Sequence, residues 1–272
     1  VNVWLAFAIL GVLQGLTEFL PVSSSGHLVV VQNLTGFAPP RVLTDIVLHL
    51  ATLAAVFIYY LRDSVSILSV RPTRSVRRPG LYLWYLVLAT VVTLAVIYPF
   101  RHWLEEVAGG RSGLPVVGWA FLATALLLVL TDRLLLVKRL RAPEVTSLSW
   151  MPVVFVGLVQ GIAAIPGLSR AGSTIFAGFL GGLNREEAAR FSFLLFIPAA
   201  LVAAVYAGMQ LAGEPLPARH IGPLILGFFT ALISGLFAIR TLLAILKRAR
   251  LSYFAAYLVL ASLVSFVTYF FG

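Results

Sequence analysis

The stretch Leu148–Leu183, LSWMPVVFVGLVQGIAAIPGLSRAGSTIFAGFLGGL, decides the fold. It runs apolar to Ile165, breaks across Pro166-Gly167-Leu168-Ser169-Arg170, and resumes over Ile175–Leu183. That last piece makes only ~13 Å of helix at 1.5 Å per residue, against roughly 30 Å of bilayer hydrocarbon. It cannot cross, so the chain must dip in and return to the side it left, as a re-entrant helical hairpin. Broken backbone at that depth is tolerated only where protein or a watery cavity covers it.

The rest of the chain supplies the membrane context. Of 272 residues, 60% are hydrophobic and 11% charged, and the mean hydropathy is +1.00. A soluble domain is nearer a quarter charged, so the chain reads as an all-α polytopic membrane protein. The absence of cysteine excludes disulfides, thiolate metal sites and a cysteine nucleophile. Six stretches are long enough to span: Leu43–Leu61, Tyr82–Phe100, Leu114–Leu130, Phe191–Leu211, Ile221–Ile239 and Leu251–Phe271.

Charge orients them. Residues 62–78 carry +4, 132–144 carry +2, 185–190 cancel and 240–250 carry +4, which together is the whole net charge of +10. Cationic loops stay inside, so these four groups share the cytoplasmic face. The same parity makes residues 3–37 a second re-entrant hairpin, entering from the outer face, and puts both termini outside. On this reading the positive charge reflects topology, and no nucleic-acid partner is expected. His102 and His220 are expected in solvated outer loops, and Asp45 with His49 as a supporting i,i+4 pair.

An internal repeat joins the two hairpins. Gly11-Val-Leu-Gln-Gly-Leu16 returns as Gly157-Leu-Val-Gln-Gly-Ile162, and each copy reaches a Pro (Pro21, Pro166) and then a Ser three residues on (Ser24, Ser169). One hairpin plus three spans per half is an odd number, so the halves are inverted: about 1–145 and 146–272 within a single membrane domain. Inverted repeats with broken helices put a site near the midplane, at the repeat interface.

Ionisable groups in such tracts are functional candidates. Glu18 and His27 fall in the first hairpin and Arg170 in the second, among Gln14, Thr17, Ser23, Ser24, Ser25, Ser169, Ser173 and Thr174. A guanidinium, short hydroxyls and freed backbone N–H groups form an anion site that suits phosphate. A carboxylate beside it can hold a divalent cation, Mg2+ or Ca2+, with Glu18 and Gln14 as ligands. The candidate catalytic set is Ser24, His27, Glu18 and Arg170: Ser24 as nucleophile, His27 as acid/base, Arg170 on the phosphate oxygens and Glu18 with the metal. Thr17, Ser23, Ser25, Ser169, Ser173 and Thr174 are the candidate substrate contacts. The residues leave the attacking group open between Ser24, His27 and a metal-bound water. An inverted-repeat transporter or flippase for a phosphorylated lipid or other anion fits the topology equally well, and it would need neither Ser24 nor His27 as a reacting group.

At these residues the chain resembles the undecaprenyl-diphosphate phosphatase, or bacitracin-resistance protein, family. The first signature reads Gln14-Gly-Leu-Thr-Glu-Phe-Leu-Pro-Val-Ser-Ser-Ser-Gly-His27 and the second Pro166-Gly-Leu-Ser-Arg-Ala-Gly-Ser-Thr174, with a third shared stretch at Gly182–Leu195. The resemblance implies a multi-pass enzyme of the bacterial plasma (inner) membrane. It would cleave undecaprenyl diphosphate to the monophosphate and phosphate on the outer, periplasmic side, with a divalent cation. That recycles the lipid carrier of peptidoglycan synthesis and confers bacitracin resistance, because bacitracin sequesters the diphosphate. Bilayer lipid and the polyprenyl diphosphate are the expected partners, and a homodimer is compatible with the sequence. The matched functional residues are Glu18, Ser24, His27, Ser169, Arg170 and Thr174. Gln14 stands where many members have Glu, and Ala171 where Ser is usual.

Overall fold

The computed structural model describes residues 2–36, 40–137, 144–211, 218–248 and 250–272. The cations Lys138, Arg139 and Arg141, and Glu214, lie outside the described residues. Twelve α-helices follow in order: α1 (Val3–Phe19), α2 (Ser24–Thr35), α3 (Arg41–Tyr59), α4 (Leu61–Leu68), α5 (Pro79–Ile97), α6 (Arg101–Gly109), α7 (Leu114–Val137), α8 (Trp150–Ile162), α9 (Arg170–Leu180), α10 (Arg185–Gln210), α11 (Ala218–Arg248) and α12 (Ser252–Phe271). Among the described residues six stretches are long and apolar enough to cross a membrane: α3, α5 continuing into α6, α7, α10, α11 and α12. Each overlaps one of the six expected spans, of which Leu43–Leu61, Phe191–Leu211 and Leu251–Phe271 overrun their helix by one or two residues.

Local chemistry sets the helix ends. Asn2 caps α1 through Trp4 N at 3.0 Å, and Asn184 caps α10 through Glu187 N at 2.9 Å, each satisfying an amide that the first turn leaves free. Pro79 opens α5, where its missing N–H costs nothing. Pro21 and Pro166 do the opposite and stop helices. α1 ends at Phe19 and α2 restarts at Ser24 after Ser23 adopts φ 69°; α8 ends at Ile162 and α9 restarts at Arg170 after Gly167 at φ 100°. Large apolar side chains such as Trp84, Trp119, Ile233 and Phe237 cover the outside of the bundle, as lipid-facing helices require.

Each broken helix packs on the other half of the chain. α1 lies chiefly on α11, and α8 on α5. Glycines at the repeat's two equivalent positions permit this approach. A Cβ on Gly15 would sit 2.1 Å from Ser234 Oγ and 2.3 Å from the Ala231 carbonyl. A Cβ on Gly161 would sit 2.5 Å from Val96 Cβ. α3 packs on α11 and α10, and α7 on α12.

Polar bonds tie the charged loops together at one end of the bundle. The Asp132 carboxylate accepts from Leu251 N at 3.0 Å and Ser252 N at 2.8 Å, and Arg185 Nη1 donates to the Leu246 carbonyl at 2.8 Å. Glu187 accepts from Val145 N at 3.0 Å and from Arg190 at 3.1 Å. Glu144 accepts from Arg77 N at 3.1 Å, and Arg190 reaches Asp63 at 3.5 Å. The segment between Val145 and Glu187 therefore leaves and rejoins the same end, with Gly181 close against Pro152.

One histidine departs from expectation. His220 is buried in the first turn of α11, with its ring 5.9 Å from that of Phe7, because α1 docks over it. His102 is exposed and lies 3.9 Å from Glu105.

Candidate active site

The two helix breaks face each other. Ser23 Oγ accepts from Gly167 N at 3.1 Å, a direct stitch between the turns. A Cβ on Gly26 would meet Gly167 Cα at 2.8 Å, so only glycine permits this approach. Thr124 on α7 braces the second turn by accepting from Ser169 N at 3.1 Å and donating to the Gly167 carbonyl at 3.0 Å.

Glu18, at the end of α1, is the hub. Its Oε1 accepts from Arg170 Nη2 at 2.7 Å. Its Oε2 accepts from Ser24 Oγ at 2.6 Å and from Gln14 Nε2 at 3.1 Å, and lies 3.8 Å from His49 Nε2. Glu18 is buried, and Arg170 nearly so. Removing one partner of such a buried pair strands the other. Arg170 also reaches the Ser192 carbonyl at 3.3 Å and stacks over the Phe196 ring, 4.2 Å from its centroid.

A cavity of about 340 Å³ opens over this cluster. Its wall includes Thr17, Glu18, Ser23, Ser24, Ser25, His49, Thr93, Gln160, Ser169 and Arg170, with Ala163, Ala164, Ala199, Ala200 and Ala203 on the apolar side. α2 begins at Ser24 and α9 at Arg170, so two helix starts, with their free amides and partial positive charge, border the same space. A second cavity of about 380 Å³ shares His49, Ala200 and Ala203 and extends between α3 and α10 past Asp45 and Glu105.

Four of the sequence candidates, Gln14, His27, Ser173 and Thr174, lie outside the cavity wall. Ser173 and Thr174 are buried. Thr174 shares a 2.6 Å hydrogen bond with Ser192 Oγ and donates to the Arg170 carbonyl at 2.8 Å, which fixes the start of α9. His27 does not meet Ser24. Its Nδ1 lies 2.7 Å from the Ser23 carbonyl and its Nε2 2.7 Å from the Tyr257 hydroxyl, and the ring stacks on Tyr257 at an interplanar angle of 3°. A carbonyl only accepts, so Nδ1 carries a proton, while Nε2 shares a hydrogen bond with the Tyr257 hydroxyl. Both ring nitrogens are thereby engaged away from Ser24. The carboxylate of Glu18 takes the place beside Ser24 Oγ instead.

Sequence reasoning missed Ser192, Thr124, Thr93, Gln160 and Tyr257. The repeat carried a signal for Gln160, the counterpart of Gln14. Both glutamines are buried, and in each the side-chain oxygen has no hydrogen-bond partner. Gln160 donates from Nε2 to Thr93 Oγ1 at 3.0 Å.

A divalent cation fits the donor set. Glu18 supplies a carboxylate and Gln14 an orphaned amide oxygen beside it. Hard cations such as Mg2+ commonly take one or two protein oxygens and fill the remaining positions with substrate phosphate and water. Among the described residues there is no cluster of three His, Asp or Glu that could hold a metal on protein ligands alone.

The family model described as bacitracin resistance protein BacA matches residues 7–264. The chain belongs to the BacA family. Curated relatives include proteins named undecaprenyl-diphosphatase from Carboxydothermus hydrogenoformans, 38% identical over 92% of this chain and 91% of the relative, and from Alkaliphilus metalliredigens, 36% identical over 92% of each. A third, from Desulfosudis oleivorans, is 38% identical over 92% of each. The BacA match covers both helix breaks and every residue of the cavity wall.

Proposed function

We propose that this BacA-family protein hydrolyses undecaprenyl diphosphate to undecaprenyl phosphate and inorganic phosphate, recycling the lipid carrier of peptidoglycan synthesis and conferring bacitracin resistance. The observation that carries the reading is the Arg170–Glu18–Ser24 chain, in which a guanidinium, a carboxylate and a hydroxyl from two separate helix breaks face one cavity.

Arg170 and the two helix starts bind the diphosphate and compensate its charge. Ser24 Oγ attacks the terminal phosphorus while its proton passes to Glu18 Oε2, 2.6 Å away. The bond from phosphorus to the bridging oxygen breaks, and its electron pair leaves with undecaprenyl phosphate. Glu18 passes the serine's proton to the departing phosphate oxygen and is a carboxylate again. Water then attacks the phosphoserine as Glu18 takes up the water's proton, and Glu18 returns it to Ser24 Oγ as inorganic phosphate departs. Glu18 and Gln14 would hold the divalent cation, whose chemistry is charge neutralisation on the phosphate oxygens. Ser23, Ser25, Thr17 and Ser169 supply further short polar contacts in the wall.

The membrane placement follows from charge. The end that gathers residues 62–78, 185–190 and 240–250 faces the cytoplasm of a bacterial plasma membrane. Both hairpins are then re-entrant, the cavity opens toward the outer face, and both termini lie outside. Exchange of α1/α8, α2/α9 and the spans across the helix pairings supports two inverted halves, about 1–145 and 146–272.

Purified protein incubated with undecaprenyl diphosphate, with and without chelator, tests the reaction. Release of phosphate that chelation suppresses and Ser24→Ala abolishes is expected. Translocation without phosphate release would instead make the protein a carrier. Cysteines introduced at Arg74 and Gly109 test the placement and should label from opposite sides.

A further inference from the structure

We propose that the cytoplasmic end of the bundle holds a binding site for the phosphate headgroup of an anionic phospholipid, between α3, α10 and α11 and separate from the catalytic cavity. A cavity of about 440 Å³ opens there, lined by Tyr59 and Tyr60 from the end of α3, Glu186 and Arg190 from the start of α10, and Arg240, Leu243, Ala244 and Lys247 from α11. None of these residues borders the cavity over Glu18.

The α11 contribution has a lipid's own pattern. Positions 240, 243, 244 and 247 share one helix face. A cation stands at each end of that face, with Leu243 and Ala244 between them. Such a face offers charge to a phosphate and apolar surface to the glycerol and first acyl carbons. Arg190 adds positive potential from the floor, although Asp63 at 3.5 Å and Glu187 at 3.1 Å already hold its guanidinium. Lys247 meets Glu186 at 3.0 Å, but both side chains are more than half exposed. Exposed pairs contribute little, so a phosphate can displace this carboxylate. With Arg190 held by its own carboxylates, Arg240 and Lys247 against the single carboxylate of Glu186 leave the open wall net positive, which suits an anion. Tyr59 and Tyr60, whose rings meet edge to face at 4.9 Å, stand at the depth where aromatic side chains favour the headgroup region. Basic pockets between helices on the cytoplasmic side are the form such lipid sites take.

A soluble phosphate and a lipid phosphate share this chemistry, and the test separates them. Native mass spectrometry of the full chain in mixed micelles would measure retention of dioleoylphosphatidylglycerol, with dioleoylphosphatidylcholine and inorganic phosphate as the other arms. Phosphatidylglycerol should bind, phosphatidylcholine at least tenfold more weakly, and millimolar phosphate should not displace the lipid. Arg240→Gln combined with Lys247→Gln should weaken phosphatidylglycerol binding about thirtyfold, and Arg240→Gln alone about fivefold, taking roughly 1 kcal/mol for each cation. Arg62→Gln, an exposed cation at the same end but outside the cavity wall, should change nothing. The double variant should hydrolyse its substrate at the parent rate, which also establishes that it folds. Equal retention of both lipids, unchanged affinity in the double variant, an equal loss in Arg62→Gln, or displacement by phosphate would each overturn the site.

Discussion

Glu18 Oε1 and Arg170 Nη2 lie 2.7 Å apart although 152 residues separate them in sequence. The ion pair joins the end of one broken helix to the beginning of another. Neither hairpin holds a complete site, and the carboxylate that orders Ser24 is itself neutralised by the opposite half. Replacing Arg170 with Lys keeps the charge but loses the planar fork that serves Glu18, the Ser192 carbonyl and the Phe196 ring together. Phosphate release by Arg170→Lys should fall about 10²–10³-fold, the usual loss for a preorganised electrostatic contact. A parent-like rate would remove Arg170 from the transition state.

Ser24→Ala removes the hydroxyl and leaves the rest of the cavity wall intact. Hydrolysis should fall by at least about 10³-fold, while the diphosphate still binds through Arg170 and the helix starts. Calorimetric binding alongside phosphate release checks both halves of this expectation.

Tyr257→Phe tests the separation of His27 from the chemistry. The variant keeps the stacked ring but leaves His27 Nε2 buried without a hydrogen-bond partner, which should cost about 1–3 kcal/mol of stability. Turnover should change less than tenfold. A loss as large as that of Ser24→Ala would return His27 to the reacting set.

Gln14 governs the cation. Gln14→Glu places a second carboxylate beside Glu18 and should tighten the metal midpoint of phosphate release, whereas Gln14→Leu should weaken it. Identical metal titrations for the two variants would dissociate Gln14 from cation binding.

Gly15→Ala should act on assembly. The added methyl would meet Ser234 Oγ and the Ala231 carbonyl at distances no real contact shows, and prying α1 from α11 should cost about 1–3 kcal/mol. Thermal unfolding of the detergent-solubilised chain measures it.

The spans were legible because twenty apolar residues admit few other fates, and the helix breaks because Pro21 and Pro166 stand out in apolar tracts. Glu18, Arg170 and Ser24 stood out as costly polar groups in apolar tracts. The pairing of Ser24 with His27 was read from i,i+3 spacing, which gives only a shared face. At the first turn of α2 the serine turns back toward α1, and the histidine turns toward its own carbonyl and α12. Ser192 was hidden between Phe191 and Phe193, both buried, so its stretch read as packing alone. Its role exists only once α10 lies beside α9. His220 read as a loop residue because nothing in its neighbourhood of sequence announces that α1 will cover it.

The exchange of glycine-lined contacts between the halves also governs how the molecule is made. α1 emerges from the ribosome long before the helix it lies on, which begins only at Ala218. Until α9 arrives, the Glu18 carboxylate lacks Arg170, and until α11 arrives Gly11 and Gly15 stay bare. The nascent chain therefore carries an unshielded Glu18 through most of its synthesis, and catalytic competence arises in one late step rather than accumulating helix by helix. A chain that stalls before α9 would present the quality-control machinery with a polar, unpaired hairpin, a strong mark for its removal.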